Sequence, residues 1–271
     1  MNKNRTIQVM GIVNLTDDSY FSESRCDGVQ AALDRISALV DEGADIIDIG
    51  ACSTRPGAQP VGADEEWRRL APVLSAVKER FPQVAISIDT YWASVVEKAY
   101  ELIGSFIVND ISAGEDDPQM LPTVGRLGLT YVAMHKRGDS MTMTTLTDYQ
   151  DVVDDIVKYF DEFSVRAENA GISEWILDPG FGFAKTLGQN YEIMKRLSAF
   201  ENVRTACGKP RILVGISRKS MIYKFFNISP EEALPQTQVL HLVALQNGAD
   251  ILRVHDVAEA RRTIDAYRLI S

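Results

Sequence analysis

Eight times along the 271-residue chain a short apolar run ends in a polar or charged residue and gives way to a stretch with helical spacing. The runs are TIQVMGIVN, ADIIDIGACSTR, VAISIDT, SFIVND, LTYVAMHKR, EWILDPG, RILVGISRK and DILRVHD. They are brief, rich in β-branched residues and continuous rather than alternating, as expected of strands covered on both faces of a parallel sheet. Between them, VQAALDRISALVDEGAD sets Leu33, Ile36, Leu39 and Val40 on one side of a helix and supplies Gly43 as a stop. Similar helices are expected to begin near Asp64, Tyr91, Pro118, Asp148, Asn190, Glu231 and Val257. Strict alternation of this kind predicts an α/β fold, a (β/α)8 TIM barrel, with a doubly wound open sheet as the alternative.

Nothing divides the chain: no low-complexity tract or Pro/Gly/Ser-rich linker interrupts it, so one domain over residues 1–271 is expected. A net charge of −10, from 28 basic and 38 acidic side chains, argues against nonspecific nucleic-acid or anionic-membrane binding. No apolar run approaches the roughly 20 residues of a membrane helix, and the N-terminus lacks a signal-like stretch, so a cytoplasmic location is expected. Cys26, Cys52 and Cys207 are far apart, without CxxC spacing, and read as reduced thiols.

In a barrel of this type the reacting groups sit where strands end and loops begin. The residues just past the apolar runs sort into two sets. Asp89, Asn109, Asp178 and Lys219 combine acceptors, an amide and an ammonium, which suits a flat heterocycle with an amidine-like donor edge and a nearby carbonyl. Asn14, Thr54, Arg55, Arg253 and His255 are rich in donors and suit a phosphate or diphosphate. Neither GxGxxG nor GxxxxGK[ST] occurs, so a Rossmann or P-loop nucleotide site is not expected; GFGFAK at 180–185 is only superficially similar. His135 reads as a satisfied histidine under the barrel mouth, His241 as a helix-packing residue, and the acidic DVVDDIVKYFDEF as a solvated helix face.

At these residues the chain resembles the dihydropteroate synthase family over nearly its whole length. The motifs run in matching order: MGIVNLTDDSYF at 10–21, STRPGA at 53–58, SIDT at 87–90, VNDISAG at 108–114, MHKRG at 134–138, DPGFGFAKT at 178–186, SRKS at 217–220 and RVHDV at 253–257. The resemblance implies a barrel transferase of folate biosynthesis that joins 4-aminobenzoate to (7,8-dihydropterin-6-yl)methyl diphosphate, with Mg2+ on the leaving group. It implies that Asp89, Asn109, Asp178 and Lys219 bind the pterin ring, with Met134 and Phe183 lining that pocket. Asn14, Thr54, Arg55, Arg253 and His255 resemble the diphosphate and Mg2+ site, Asn14 being the metal ligand and Arg253 also lying over the pterin face. Ser220 resembles the residue that receives the aminobenzoate carboxylate. Asp89, Asn109, Asp178, Lys219, Arg253 and His255 are the six expected to carry the reaction, in a homodimer. The segments from Asp17 to Arg25 and Ser53 to Gln59 resemble loops that close over the second substrate.

Departures from the family pattern lie mainly in the first loop, where TDDSY stands for the usual TPDSF. Asp17 replaces a φ-fixing proline, and Tyr20 replaces a phenylalanine near the aminobenzoate. Sulfonamides, which mimic aminobenzoate, are therefore expected to bind with an affinity different from that for a Tyr20→Phe variant, and equal inhibition constants would contradict this. Two alternatives share parts of the pattern: a pterin-dependent methyltransferase domain and a nonenzymatic pterin-binding homologue. The first has no diphosphate leaving group, which STRPGA, SRKS and RVHDV together disfavour. The second is disfavoured because both residue sets are present.

Overall fold

A computed structural model describes residues 5–15, 25–52, 61–138, 142, 143 and 145–271, with 25–27 described by their backbone alone. The described strands are β1 Gln8–Asn14, β2 Ile46–Gly50, β3 Ala85–Asp89, β4 Ile107–Asp110, β5 Thr130–Met134, β6 Trp175–Asp178, β7 Arg211–Val214 and β8 Ile251–Val254. The helices are α1 Arg25–Asp41, α2 Ala63–Arg80, α3 Ala93–Ile103, α4 Met120–Leu127, α5 Val152–Asn169, α6 Leu187–Lys195, α7 Ser220–Phe226, α8 Leu234–Gln246 and α9 Val257–Ile270. Each of the eight predicted runs is a strand, and all pair in parallel in chain order. Because β8 pairs back onto β1, the sheet is a closed barrel and the open-sheet alternative is excluded.

Two apolar layers account for the strand composition. Outward-facing strand residues meet the helices: on α2, Leu70, Val73, Leu74 and Val77 recur three or four apart and are all buried. That helix opens with Asp64 and Glu65 and closes with Lys78 and Arg80, charges that complement its dipole. Inside the barrel a separate cluster of Met10, Ile46, Val132, Ile176, Leu213 and Ile251, with Ile107 packed on it, forms a floor. Strand side chains alternate faces, so residues two places beyond the floor face inward as well. Those residues are Ile12, Asp48, Asn109, Met134, Asp178, Gly215 and Arg253. One step of the pleat therefore takes the interior from wholly apolar to a layer that carries Asp48, Asn109, Asp178 and Arg253, and this layer is the one nearer the carboxyl ends of the strands.

The chain of α4 comes close to the end of α5 at Gly125. A Cβ on Gly125 would lie 1.7 Å from the Ala170 carbonyl oxygen, a backbone atom that cannot swing aside. Gly125→Ala is expected to cost about 1–3 kcal/mol through overpacking. Thermal unfolding should then show a Tm lowered by roughly 2–12 °C; an unchanged Tm would contradict the close approach. Among the described residues no helix is long and apolar enough to cross a membrane.

Candidate active site

Strand register builds the site in a row. Asn14 pairs with Gly50, Gly50 with Asp89 and Asp89 with Asn109, so four adjacent strands end at one level. Met134 pairs with Asp178 across the barrel wall. Glycine at position 50 leaves room for its neighbour, since a Cβ there would come within 3.1 Å of the Asp89 Cβ.

Beneath this row lies Asp48, which is 0% exposed. Its Oδ1 accepts the Ser87 hydroxyl at 2.6 Å, and its two oxygens accept the Asn109 Nδ2 at 3.2 and 3.1 Å. Arg253 reaches the same carboxylate from β8, with Nε 2.7 Å and Nη2 2.6 Å from Oδ2. The Nη2 group also donates to Asp89 Oδ2 at 2.9 Å. One guanidinium thus bridges a buried and a half-buried carboxylate, an arrangement that Arg tolerates because its fork stays charged. Burial pushes the Asp89 carboxyl up, and the Asp48 and Asp110 carboxylates add to this against the pull of Arg253.

Asp178 and Lys219 occupy the other side of the mouth. Asp178 is 8% exposed, and its Oδ1 accepts the Gly180 N–H at 2.8 Å. Burial raises its carboxyl, opposed first by the Lys219 charge. Lys219 donates to the Phe181 carbonyl at 2.6 Å and lies 4.8 Å from the centre of the Phe183 ring. Burial lowers the Lys219 ammonium to about 8, with Asp178 pulling it back up. A site that needs this ammonium therefore loses it as pH rises through about 8. The expected kcat/KM profile falls above that value, and Lys219→Arg, which stays charged, should move the fall to higher pH. A wild-type profile flat to pH 10 would contradict this role.

The loop after β6 is held from below by Lys185. Its Nζ lies 2.9 Å from the Gly180 and Phe183 carbonyls, 3.3 Å from the His135 carbonyl and 3.0 Å from His135 Nδ1. His135 is accordingly satisfied and packs edge-on against Tyr159, as the sequence reading expected. Gly180 has φ +71°, and a Cβ there would sit 2.0 Å from the His135 carbonyl oxygen, so only glycine fits. On β8, His255 Nδ1 lies 3.1 Å from the Ser217 hydroxyl. Burial and the Arg253 charge lower His255 to about 4, leaving a neutral imidazole at physiological pH.

The structure thus brings Asp89, Asn109, Asp178, Lys219, Arg253 and His255 to one end of the barrel, with Asn14 half-buried at the last position of β1. Met134 is buried at the end of β5, Phe183 stands beside Lys219, and Ser220 opens α7. Thr54, Arg55, Asp17 and Tyr20 lie outside the described residues. Arg253, which the sequence places with the anion set and the resemblance also lays over the pterin face, donates to Asp89 of the heterocycle set. Sequence reasoning missed Asp48, Ser217 and Lys185; a charge in the middle of the otherwise apolar IIDIG was the available signal for the first. It also missed that Glu66, in the first turn of α2, is fully buried, with burial pushing its carboxyl up to about 7. Among the described residues no group of three or more His, Cys, Asp or Glu side chains is placed to hold a metal ion.

Comparison with known proteins gives the family. A family model described as pterin binding enzyme matches residues 10–255. The dihydropteroate synthase of Escherichia coli K12 is 38% identical over 264 residues, covering 97% of this chain and 90% of that protein. Among solved structures, the Clostridium difficile dihydropteroate synthase, determined in the presence of pteroic acid, superposes with a TM-score of 0.90 at 34% identity, covering 99% of this chain and 97% of that one. The Xanthomonas albilineans dihydropteroate synthase with 4-aminobenzoic acid gives 0.88 at 34% identity, covering 100% of this chain and 94% of that one.

Proposed function

The chain belongs to the pterin binding enzymes, the dihydropteroate synthases among them, and from that membership we propose that its barrel mouth holds two substrates side by side. The reaction is a transferase step of folate synthesis: 4-aminobenzoate is joined to (7,8-dihydropterin-6-yl)methyl diphosphate, and diphosphate leaves. The observation that carries the residue assignment is that Asp178 at the end of β6 and Lys219, held by the Phe181 carbonyl of the loop that follows β6, share one end of the barrel with Asp89 and Asn109, which sit side by side on β3 and β4. Asp178 accepts the two N–H bonds of the pterin amidine edge, and Lys219 donates to the ring carbonyl. Asn109 and Asp89 take the remaining ring edge, Met134 packs beneath the ring and Phe183 flanks it. Arg253 and His255 face the diphosphate; Thr54 and Arg55, which the family resemblance assigns to the same group, lie outside the described residues. Ser220, first residue of the seven-residue α7, receives the aminobenzoate carboxylate.

Asn14 fits a hard cation: it is the half-buried last residue of β1, on the strand face that Met10 of the floor shares, and its side chain makes no hydrogen bond to a described residue. A single oxygen ligand suits Mg2+, which keeps several waters and otherwise binds through substrate phosphates. When bound there, Mg2+ would neutralise charge on the departing diphosphate. The protein's own groups do the rest. Asp178 and Asn109 hold the electron-rich ring while the C–O bond opens, the guanidinium of Arg253 lies beside the developing charge, and the aminobenzoate nitrogen then attacks the methylene carbon. C–O cleavage ahead of attack requires no covalent enzyme nucleophile. Positional isotope scrambling in recovered diphosphate substrate without amine would support that order, and a trapped pterinyl enzyme would overturn it. Chromatographic detection of 7,8-dihydropteroate from the two substrates with Mg2+ tests the whole assignment; its absence with a folded enzyme contradicts it. The protein acts in the cytoplasm as a homodimer, each chain a single domain over 1–271, in keeping with the expectations from its sequence.

A further inference from the structure

Among the groups that the proposed chemistry leaves unused, Asp48 is hydrogen-bonded to two of the side chains assigned to the substrate, Asn109 and Arg253. It reaches no solvent, and it faces the barrel interior one layer below the level where the pterin would sit. A lone buried carboxylate costs several kcal/mol, which is offset only when its lone pairs are filled. Here they are filled by Ser87 on β3, Asn109 on β4 and Arg253 on β8. Two of these three are groups assigned to touch substrate. An ionised carboxylate accepts and does not donate, so only the Nδ2 end of the Asn109 amide can lie against it. The amide oxygen is thereby turned away from Asp48. Arg253 is held in the same way: Nε and Nη2 are committed to Asp48 and Asp89, while Nη1 has no partner among the described residues.

Resting on the pterin-pocket reading above, we propose that Asp48 is a positioning residue: it sets which end of the Asn109 amide meets the heterocycle and aims the free arm of Arg253. Recognition of the pterin would then depend on a side chain that never touches it. A half of the substrate bound elsewhere should not feel the change.

Asp48→Asn tests this, because it keeps shape and removes the charge that orders both partners. The expected result is a kcat/KM for the pterin diphosphate lowered at least about thirtyfold, with the KM for 4-aminobenzoate changed less than about threefold. In an Asn109→Ala background the same substitution should cost at least about threefold less, since part of its effect has already been removed. Equal losses in both backgrounds, or parallel rises in both KM values, would overturn the proposal and leave Asp48 a packing residue. A second measurement needs no substrate and is made on the wild type if the variant fails to fold. The Asn109 side-chain amide protons, identified by their loss in Asn109→Ala, should exchange with solvent at least about tenfold more slowly than those of the exposed Asn227; free exchange would overturn it. A wild-type protein that binds no pterin diphosphate would refute the pocket reading instead, and amide exchange would then decide the role of Asp48 alone.

Discussion

Asp178→Asn is expected to lower kcat/KM for the pterin diphosphate by about a thousandfold. In the proposed pocket the carboxylate would supply two charge-assisted hydrogen bonds to the pterin, each worth roughly 1.5–3 kcal/mol, and each 1.36 kcal/mol is a factor of ten in rate. A second cost runs through Lys219. Burial already lowers that ammonium to about 8, and Asp178 is the group that opposes the shift. With Asn at position 178 the ammonium should titrate lower still, so the falling limb of the pH profile should move down from about 8 as the rate drops. Steady-state kinetics at saturating 4-aminobenzoate, run across pH, read both effects. A loss under tenfold, or an unmoved limb, would separate Asp178 from the pterin and from Lys219.

Arg253→Ala should be the most damaging change to stability in the site. It leaves Asp48, which has no solvent contact, and Asp89 without the cation that bridges them. Breaking a buried pair on one side costs about 3–5 kcal/mol, which for a chain of this size lowers Tm by roughly 6–20 °C. The pH dependence has a definite sign. Burial already raises the Asp89 carboxyl, and removing Arg253 raises it further. An acid whose folded value exceeds its unfolded one destabilises above that value and not below both. The Tm deficit of the variant should therefore be widest at neutral and alkaline pH and narrow as pH falls through the folded value toward 5. Arg253→Lys, which keeps charge and loses the fork, should lie between. A deficit independent of pH would mean that the loss comes from packing alone.

The fold was legible because each level of the chain agrees with the next. Runs such as DIIDIG and RILVG are too short and too apolar for surface helices, and their helices recur at barrel spacing. Asp89, Asn109, Asp178 and Arg253 were legible for a simple reason: each ends an apolar run, and run ends become the barrel rim. Asp48 was not, because a charge inside a strand faces the interior or the helices according to register, and register is a property of pairing. Only the level of Asp48 beside Ser87 on β3, two places past Ile46 of the floor, places it inward. Lys185 was hidden differently. In FGFAK it looks like an ordinary loop lysine, and its four acceptors come from the folded-back loop and from His135, fifty positions away. Arg253 was found but sorted with the anion donors, since nothing in RVHD reveals the two carboxylates it bridges.

The most direct test is an assay of diphosphate release from (7,8-dihydropterin-6-yl)methyl diphosphate with Mg2+, with and without 4-aminobenzoate, for the wild type and Lys219→Ala. One mouth holding both substrates predicts release that rises with the amine, matches dihydropteroate formed one for one, and is nearly abolished in Lys219→Ala. Release that ignores the amine, or a Lys219→Ala enzyme as active as the wild type, would contradict it.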